Sequence, residues 1–133
     1  MKFKDVKVRA TLNDGGGIEF EVDGVKAKHA RLKLDKDSGA HTIDFKLQDH
    51  SGKGVQFDTA NPIHVGENSQ CPPPQGINSD QLAVTSCDAG TLSTINQNSG
   101  EARELRYQLN FVTAEGSKVD CDPIIDNGGG TGF

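Results

Sequence analysis

The stretch Val6–Val22, VKVRATLNDGGGIEFEV, shows the pattern that decides the fold. Apolar side chains alternate with polar or charged ones on both sides of the glycine-rich segment Asn13–Gly17. Alternation with a period of two is typical of a β-strand with one buried face, and a turn rich in Asn, Asp and Gly is typical of a hairpin. The stretch therefore predicts two antiparallel strands that bury one face and expose charged side chains on the other.

The same alternation returns along the chain, with turn residues between its segments. It is found at Ile43–Leu47, Val55–Phe57, Leu82–Val84 and Leu105–Phe111. Between Val25 and Leu34 its phase slips by one residue near His29, which we interpret as a β-bulge. This spacing predicts an all-β fold, an immunoglobulin-like β-sandwich of about eight or nine short antiparallel strands.

Length and composition predict one domain with a thin core. The chain has 133 residues, of which 33% are hydrophobic, with 16 glycines and no tryptophan. A chain of this length is typically a single domain, and this composition disfavours long helices. We expect one sandwich domain over residues 1–127, followed by a flexible glycine-rich tail over residues 128–133.

Charge and hydropathy bear on the expected partners. The net charge is −5, whereas nucleic-acid binding usually requires a basic surface. No apolar run reaches membrane-spanning length, and residues 1–5 contain no apolar segment of a secretory signal. We therefore expect a cytoplasmic location, no nucleic-acid partner and no membrane partner, while the oligomeric state stays open.

The residues that could carry catalysis or hold a metal do not form a known arrangement. The histidines and cysteines are not spaced in close pairs as zinc ligands are. Asp35–Gly39 resembles the start of a calcium loop, but Gly39 falls where that loop requires Asp or Asn, so a surface turn is expected. The chain also lacks the Gly-x-Ser-x-Gly motif of a nucleophile elbow. We predict no catalytic residues, no metal site and no cofactor, and hence not an enzyme.

The positions of the three cysteines permit one disulfide bond but do not decide whether it forms. Cys71 and Cys87 lie on either side of a proline-rich loop and a strand, and closing that loop would contribute about 3 kcal/mol through lost chain entropy. A reducing cytosol argues against such a bridge. We take Cys71 and Cys87 as a possible disulfide. Cys121 lies between two aspartates, which suppress thiol reactivity, and we expect it to be a structural residue.

Residues 58–80 interrupt the alternation and form the candidate interaction loop. Loops of this length are frequently functional. A short strand is expected at Ile63–Val65, with both side chains exposed to a partner. A rigid loop without a partner is the alternative, because prolines stiffen a chain. The candidate residues are Asn61, Pro62, Ile63, His64, Val65, Pro72, Pro73 and Pro74.

The stretch Val119–Asn127 is predicted to be the last strand of the sandwich. Val119 and Cys121 share one face of a regular strand, so Asp120 and Asp122 take the solvated face. Ile124 and Ile125 are adjacent and cannot both point inward in a regular strand. Proline cannot donate a ladder hydrogen bond, so we predict a bulge or crossing at Pro123 that lets both isoleucines bury.

Several segments together resemble a known family. Ile43–Phe57 resembles the central strand–turn–strand of the small bacterial DP-EP family, and Leu105–Phe111, Gly116 and Asp122–Asn127 resemble its C-terminal end. The Asp-Pro pair is present at Asp122-Pro123. The chain has no Glu-Pro pair, and Asn61-Pro62-Ile63 is the nearest equivalent. The resemblance implies an immunoglobulin-like sandwich of uncharacterised function without enzyme activity.

Two functions are compatible with these expectations. The first is a non-enzymatic binding module that recognises a protein partner through the 58–80 loop or an unpaired strand edge. The second is a ligand-binding sandwich for carbohydrate or Ca²⁺ that uses acidic loop residues. Carbohydrate sites usually need exposed aromatic side chains, and the chain has one Tyr and no Trp, which favours the first function.

Overall fold

The alternating segments form strands, and the strands form two sheets that pack face to face. The computed structural model describes residues 2–27, 30–34, 39–67, 76–77, 79, 81–98, 103–121 and 124–127. The strands are β1 (Lys2–Leu12), β2 (Ile18–Val22), β3 (Val25–Lys26), β4 (Arg31–Leu34), β5 (His41–Asp49), β6 (Gln56–Phe57), β7 (Ile63–Glu67), β8 (Leu82–Cys87), β9 (Thr91–Asn96), β10 (Arg103–Val112), β11 (Lys118–Cys121) and β12 (Ile124–Asn127). The predicted all-β sandwich is confirmed, with twelve strands in the described ranges instead of eight or nine. The immunoglobulin-like connectivity stays a prediction.

The first sheet, sheet A, has the strand order β3-β2-β1-β5-β9-β8. The hairpin read from the opening stretch is its β1–β2 pair, with Ala10 opposite Phe20. However, β1 and β5 are parallel, with Lys2 opposite His41 and Ala10 opposite Asp49, so the prediction of antiparallel pairing throughout was wrong. Parallel neighbours need a crossover connection. Here the chain makes the crossover by passing through β4, which belongs to the other sheet.

The chain changes sheets in the region of the phase slip, and the β-bulge interpreted near His29 stays a prediction. β3 is the last strand of sheet A before the slip and pairs with β2. β4 follows it and pairs with β12 in sheet B, with Leu32 opposite Ile125. The inward-facing phase changes because the chain moves to the opposite sheet, where the direction toward the core is reversed. Residues 28–29 themselves lie outside the described ranges.

The second sheet, sheet B, is built around β10. On one side β10 pairs with β6 and β7, and on the other with β11 and β12; β4 adds to β12. Leu109 pairs with Cys121 and Leu105 with Ile125, so four residues separate the pairs on both strands. The predicted bulge or crossing at Pro123 lies outside the described residues and stays a prediction. Ile125 is fully buried, while Asp122, Pro123 and the Ile124 side chain are not described.

Aromatic side chains join the two sheets. Phe20 of sheet A stacks on Phe111 of sheet B with ring centroids 4.7 Å apart. Phe45 of sheet A lies 5.5 Å from Tyr107 of sheet B. Leu105, Tyr107, Leu109 and Phe111 of β10 are fully or almost fully buried. The residues between them consequently face outward, and Gln108 and Asn110 form the floor of the site described next.

Candidate binding cleft on sheet B

A polar cleft lies on the outer face of sheet B, across the second half of β10. It has a volume of about 370 Å³. Gln108 and Asn110 form its floor because their neighbours Tyr107, Leu109 and Phe111 point into the core. Buried Phe111 and half-buried Val119 also line it. The polar side chains in its lining are Asp58, Asn61, His64, Gln108, Asn110 and Lys118.

The loop between β6 and β7 forms one wall of the cleft and is held against β10. The Asp58 N–H donates to the Asn110 carbonyl at 2.9 Å, and the Asn110 N–H donates to the Pro62 carbonyl at 2.9 Å. The Asp58 carboxylate accepts from the N–H groups of Ala60 and Asn61 at 3.2 Å and 3.4 Å. Both ends of the 58–62 loop are therefore fixed to the same residue of the floor.

An ion pair spans β10 at one end of the cleft. The Lys118 Nζ lies 3.1 Å from Asp58 Oδ2, although β11 and the 58–62 loop lie on opposite sides of β10. The Asp58 side chain is 12% exposed and that of Lys118 76%. The hydrogen bond from Lys118 is the main cause that lowers the pKa of Asp58 below its usual value, and burial opposes this effect. The carboxylate is thus ionised at neutral pH.

The floor amides form a hydrogen-bonded row. Gln108 Nε2 donates to Asn110 Oδ1 at 2.6 Å, and Asn110 Nδ2 donates to the Asn61 carbonyl at 2.8 Å. An amide carries two N–H donors and a carbonyl with two lone pairs. Within the described ranges, these are the hydrogen bonds that the two side chains make, so Gln108 Oε1 and one N–H of each amide remain available to a ligand.

His64 fixes the segment that forms the other wall. The Gly76 N–H donates to His64 Nδ1 at 2.8 Å, and the Val65 N–H donates to the Gly76 carbonyl at 2.8 Å. Ile77 continues this contact as a parallel bridge to Val65. Because Nδ1 accepts a hydrogen bond, the neutral imidazole carries its proton on Nε2, which makes His64 a donor in the cleft.

The structure divides the candidate interaction residues into two groups. Asn61 and His64 line the cleft, and the Pro62 carbonyl helps to hold it. Ile63 and Val65 are 3% and 0% exposed, so their predicted exposure was wrong. They pair with β10, and the period of two that places His64 outward places both of them in the core. Pro72, Pro73 and Pro74 lie outside the described ranges.

Sequence reasoning missed the floor of the cleft and its ion pair. Gln108 and Asn110 are polar residues at outward positions of an alternating strand, as are many others in this chain. What distinguishes them is that they lie beside the 58–62 loop, and that loop is distant in sequence. The Asp58–Lys118 contact likewise joins residues 60 positions apart. No local pattern signals either feature.

Cys87 is a half-buried free thiol whose Sγ lies 3.5 Å from the Asp88 carbonyl. Burial raises its pKa, and the carboxylates of Asp88 and Asp58 raise it further. Cys71 and the side chain of Cys121 are not described, so the Cys71–Cys87 bridge stays a prediction. Among the described residues, no three His, Cys, Asp or Glu side chains are grouped to hold a metal ion.

A larger depression, of about 660 Å³, lies between three turns at one end of the sandwich. Its lining is mainly glycine and turn backbone, with Lys53 and Glu115 as its charged side chains. The turn backbones bond among themselves, for example Ala114 N–H to the Lys53 carbonyl at 3.0 Å. The Thr113 Oγ1 in its lining accepts from the Ser117 N–H at 3.2 Å, a bond within one turn. The amides of the cleft instead form a row that joins β10 to the 58–62 loop, which makes the cleft the better candidate site.

No model of a known protein family and no curated protein matches the chain. In the described part of the chain, no helix is long and apolar enough to cross a membrane. The geometry of the cleft is therefore the basis on which a function can be assigned.

Proposed function

We propose that the protein is a non-enzymatic binding module that holds a protein partner in the cleft on sheet B. The observation that carries this proposal is the row of hydrogen bonds from Gln108 through Asn110 to the Asn61 carbonyl. Side chains that are already fixed lose little freedom when a partner binds, and this lowers the entropic cost of association. The cleft therefore offers a preorganised set of donors and acceptors.

The chemistry of the lining favours binding over catalysis. No hydroxyl or thiol side chain lines the cleft in the described ranges, and the Lys118 amine is paired with the Asp58 carboxylate. The His64 Nδ1 already accepts the Gly76 N–H, and the Asp58 carboxylate is bonded to Lys118. Both groups that could act as a general base are thus engaged in holding the walls of the cleft.

A carbohydrate or Ca²⁺ ligand is the alternative. Amide side chains suit sugar hydroxyls, which favours carbohydrate, but Phe111, the aromatic residue of the lining, is fully buried and offers no face for stacking. Ca²⁺ requires six or more oxygen ligands, and the cleft has a single carboxylate. Calorimetry with CaCl₂ and with monosaccharides tests this alternative, since heats of binding that vanish in a Gln108→Ala/Asn110→Ala variant would establish it.

We also propose membership of the DP-EP family, an immunoglobulin-like topology and a cytoplasmic location. The family assignment is supported by the resembling segments, which form the β5–β6 and β10–β12 regions and contribute Phe45, Tyr107 and Phe111 to the core.

Affinity capture with three forms of the protein tests the function. The wild type, Gln108→Ala/Asn110→Ala and the control Gln48→Ala, an exposed glutamine on the outer face of sheet A, are immobilised and exposed to cytosol. We expect a protein that the wild type and the control retain and the double variant does not. Equal capture by all three would show that the cleft is not the binding surface.

A further inference from the structure

We infer that the cleft binds the main chain of an extended peptide segment, so that the partner is recognised by its backbone amides more than by its side chains. This inference rests on the proposed function, because it names the chemistry of the partner in the same cleft. It follows from the spacing of the floor amides, from the groups that they leave available and from their fixed position.

The spacing of the floor matches an extended peptide. Gln108 and Asn110 are two residues apart on one face of β10, and their side-chain amides are joined at 2.6 Å into one donor and acceptor surface. In an extended chain the N–H and the C=O of one residue point to the same side. A segment that lies along β10 would therefore present the N–H and the C=O of one residue to the joined amides.

The available groups also match a peptide backbone. Gln108 Oε1 can accept a peptide N–H, and the remaining N–H of Asn110 can donate to a peptide carbonyl. His64 adds a donor at Nε2 on the neighbouring strand, opposite Gln108. Donors and acceptors are thus mixed, as in a peptide unit. An anionic ligand would be matched by donors alone, and a sugar by an aromatic face as well.

The walls limit how the segment can lie. The Asp58–Lys118 ion pair crosses β10 beside Asn110 and forms one end of the cleft. The 58–62 loop and Gly76 stand on the side of β7, and Gly76 has no side chain to obstruct the opening. Because the lining contains no exposed apolar side chain, the cleft has no pocket that selects a particular side chain of the peptide.

The test uses nuclear magnetic resonance of the ¹⁵N-labelled protein and a defined probe, an acetylated and amidated hexapeptide of alternating threonine and alanine. We expect the side-chain amide signals of Gln108 and Asn110 to shift during titration, with weak affinity. An analogue in which every internal amide is replaced by an ester lacks those N–H donors but keeps the extended shape, and it should bind at least about tenfold more weakly.

Variants complete the test. Gln108→Ala should weaken binding of the hexapeptide about three- to tenfold, the effect of one hydrogen bond, whereas Gln48→Ala on the outer face of sheet A should leave it unchanged. Equal binding of the ester analogue by the wild-type protein would overturn recognition of the main chain. If the hexapeptide does not bind while cleft-dependent capture persists, the inference is wrong and the proposed function stands. If neither hexapeptide binding nor cleft-dependent capture is observed, the proposed function is wrong as well.

Discussion

Gly54 is a single residue on which the closure of one end of the sandwich depends. Its φ is +67°, and a Cβ at this position would lie 2.8 Å from the Cβ of Ala114 in the β10–β11 turn. Gly54→Ala therefore combines backbone strain with a steric clash, and we expect it to lower the free energy of unfolding by about 2–4 kcal/mol. Urea denaturation followed by circular dichroism measures this loss.

Two further variants separate the causes. Gly52 has φ +74° but open space around its Cβ direction, so Gly52→Ala should cost only the backbone strain, about 1–2 kcal/mol. Adding Ala114→Gly to Gly54→Ala should remove the steric clash. The double variant should therefore be destabilised only about as much as Gly52→Ala. If Gly52→Ala and Gly54→Ala are equally destabilised, contact with Ala114 has no role.

Asp49 organises the β5–β6 turn through its carboxylate. It accepts hydrogen bonds from Ser51 Oγ at 2.6 Å, from Ser51 N–H at 2.9 Å and from Val55 N–H at 3.0 Å. Burial opposes its ionisation, but these bonds together outweigh that effect and hold the pKa below the ordinary 3.8. The folded state therefore gains stability from Asp49 above the ordinary pKa and loses it as pH falls through the lowered pKa.

We expect Asp49→Asn to melt below the wild type at pH 7, and the difference to shrink as the pH is lowered through and beneath 3.8. Thermal denaturation over this range measures the difference. Glu115→Gln, at an exposed turn position, serves as the control for removing one negative charge. A difference that does not change with pH would mean that the ionised carboxylate of Asp49 is not the stabilising species.

Cys87 can form the predicted bridge only as a thiolate. Since burial and the neighbouring carboxylates raise its pKa, we expect oxidised glutathione to produce a Cys71–Cys87 disulfide much faster at pH 9 than at pH 7. Mass spectrometry of a non-reduced digest identifies the linkage. Crosslinks from Cys121 to either partner, or three free thiols after oxidation at pH 9, would contradict the predicted pairing.

Among the elements, β12 is the last strand in the described residues and lies inside sheet B. β12 lies between β10 and β4 in sheet B, and Ile125 is fully buried. Burial of a single isoleucine is worth about 1.5–3 kcal/mol, a large share of the stability of a small domain. Without β12, β4 would also lose the strand with which it pairs.

Truncation after Val119 should therefore abolish cooperative unfolding, whereas truncation after Asn127 should leave the melting temperature unchanged. Differential scanning calorimetry of the two shortened proteins tests this expectation. Ile125→Ala offers an independent check, with an expected loss of about 2–5 kcal/mol. A protein cut after Val119 that melts like the full chain would show that β12 is dispensable.

The strands were largely predictable from sequence, but their partners were not. Alternation identified the β1–β2 hairpin, β5 and β10 because each buries one face, a local property of the chain. It could not reveal that β1 pairs in parallel with β5, or that the chain changes sheets after β3, since both depend on contacts distant in sequence. Of the residues that line the cleft, only Asn61 and His64 were predicted from the sequence. The others meet there through contacts that are distant in sequence.

Across the whole molecule, the two sheets share one set of aromatic contacts. Phe111 of sheet B contacts Phe20 of sheet A and also Phe57, with centroids 4.7 Å and 4.8 Å away. Tyr107 is 1% exposed and lies against Phe45 of sheet A. Because the chain has one Tyr and no Trp, near-ultraviolet signals of this tyrosine report specifically on the packing between the sheets.

We expect the two sheets to unfold as one unit and Phe111 to be central to that cooperativity. Phe111→Leu removes the ring that bridges Phe20 and Phe57, and a shape change of this kind in a packed core should cost about 1–3 kcal/mol while the transition stays cooperative. Phe3→Leu is the matched control, because Phe3 is 78% exposed and its replacement should change stability by less than about 0.5 kcal/mol. The melting curves from the tyrosine signal and from far-ultraviolet circular dichroism should coincide in all three proteins. If the tyrosine signal of the wild type is lost before the strand signal, the sheets separate before they unfold, and the aromatic contacts do not couple them.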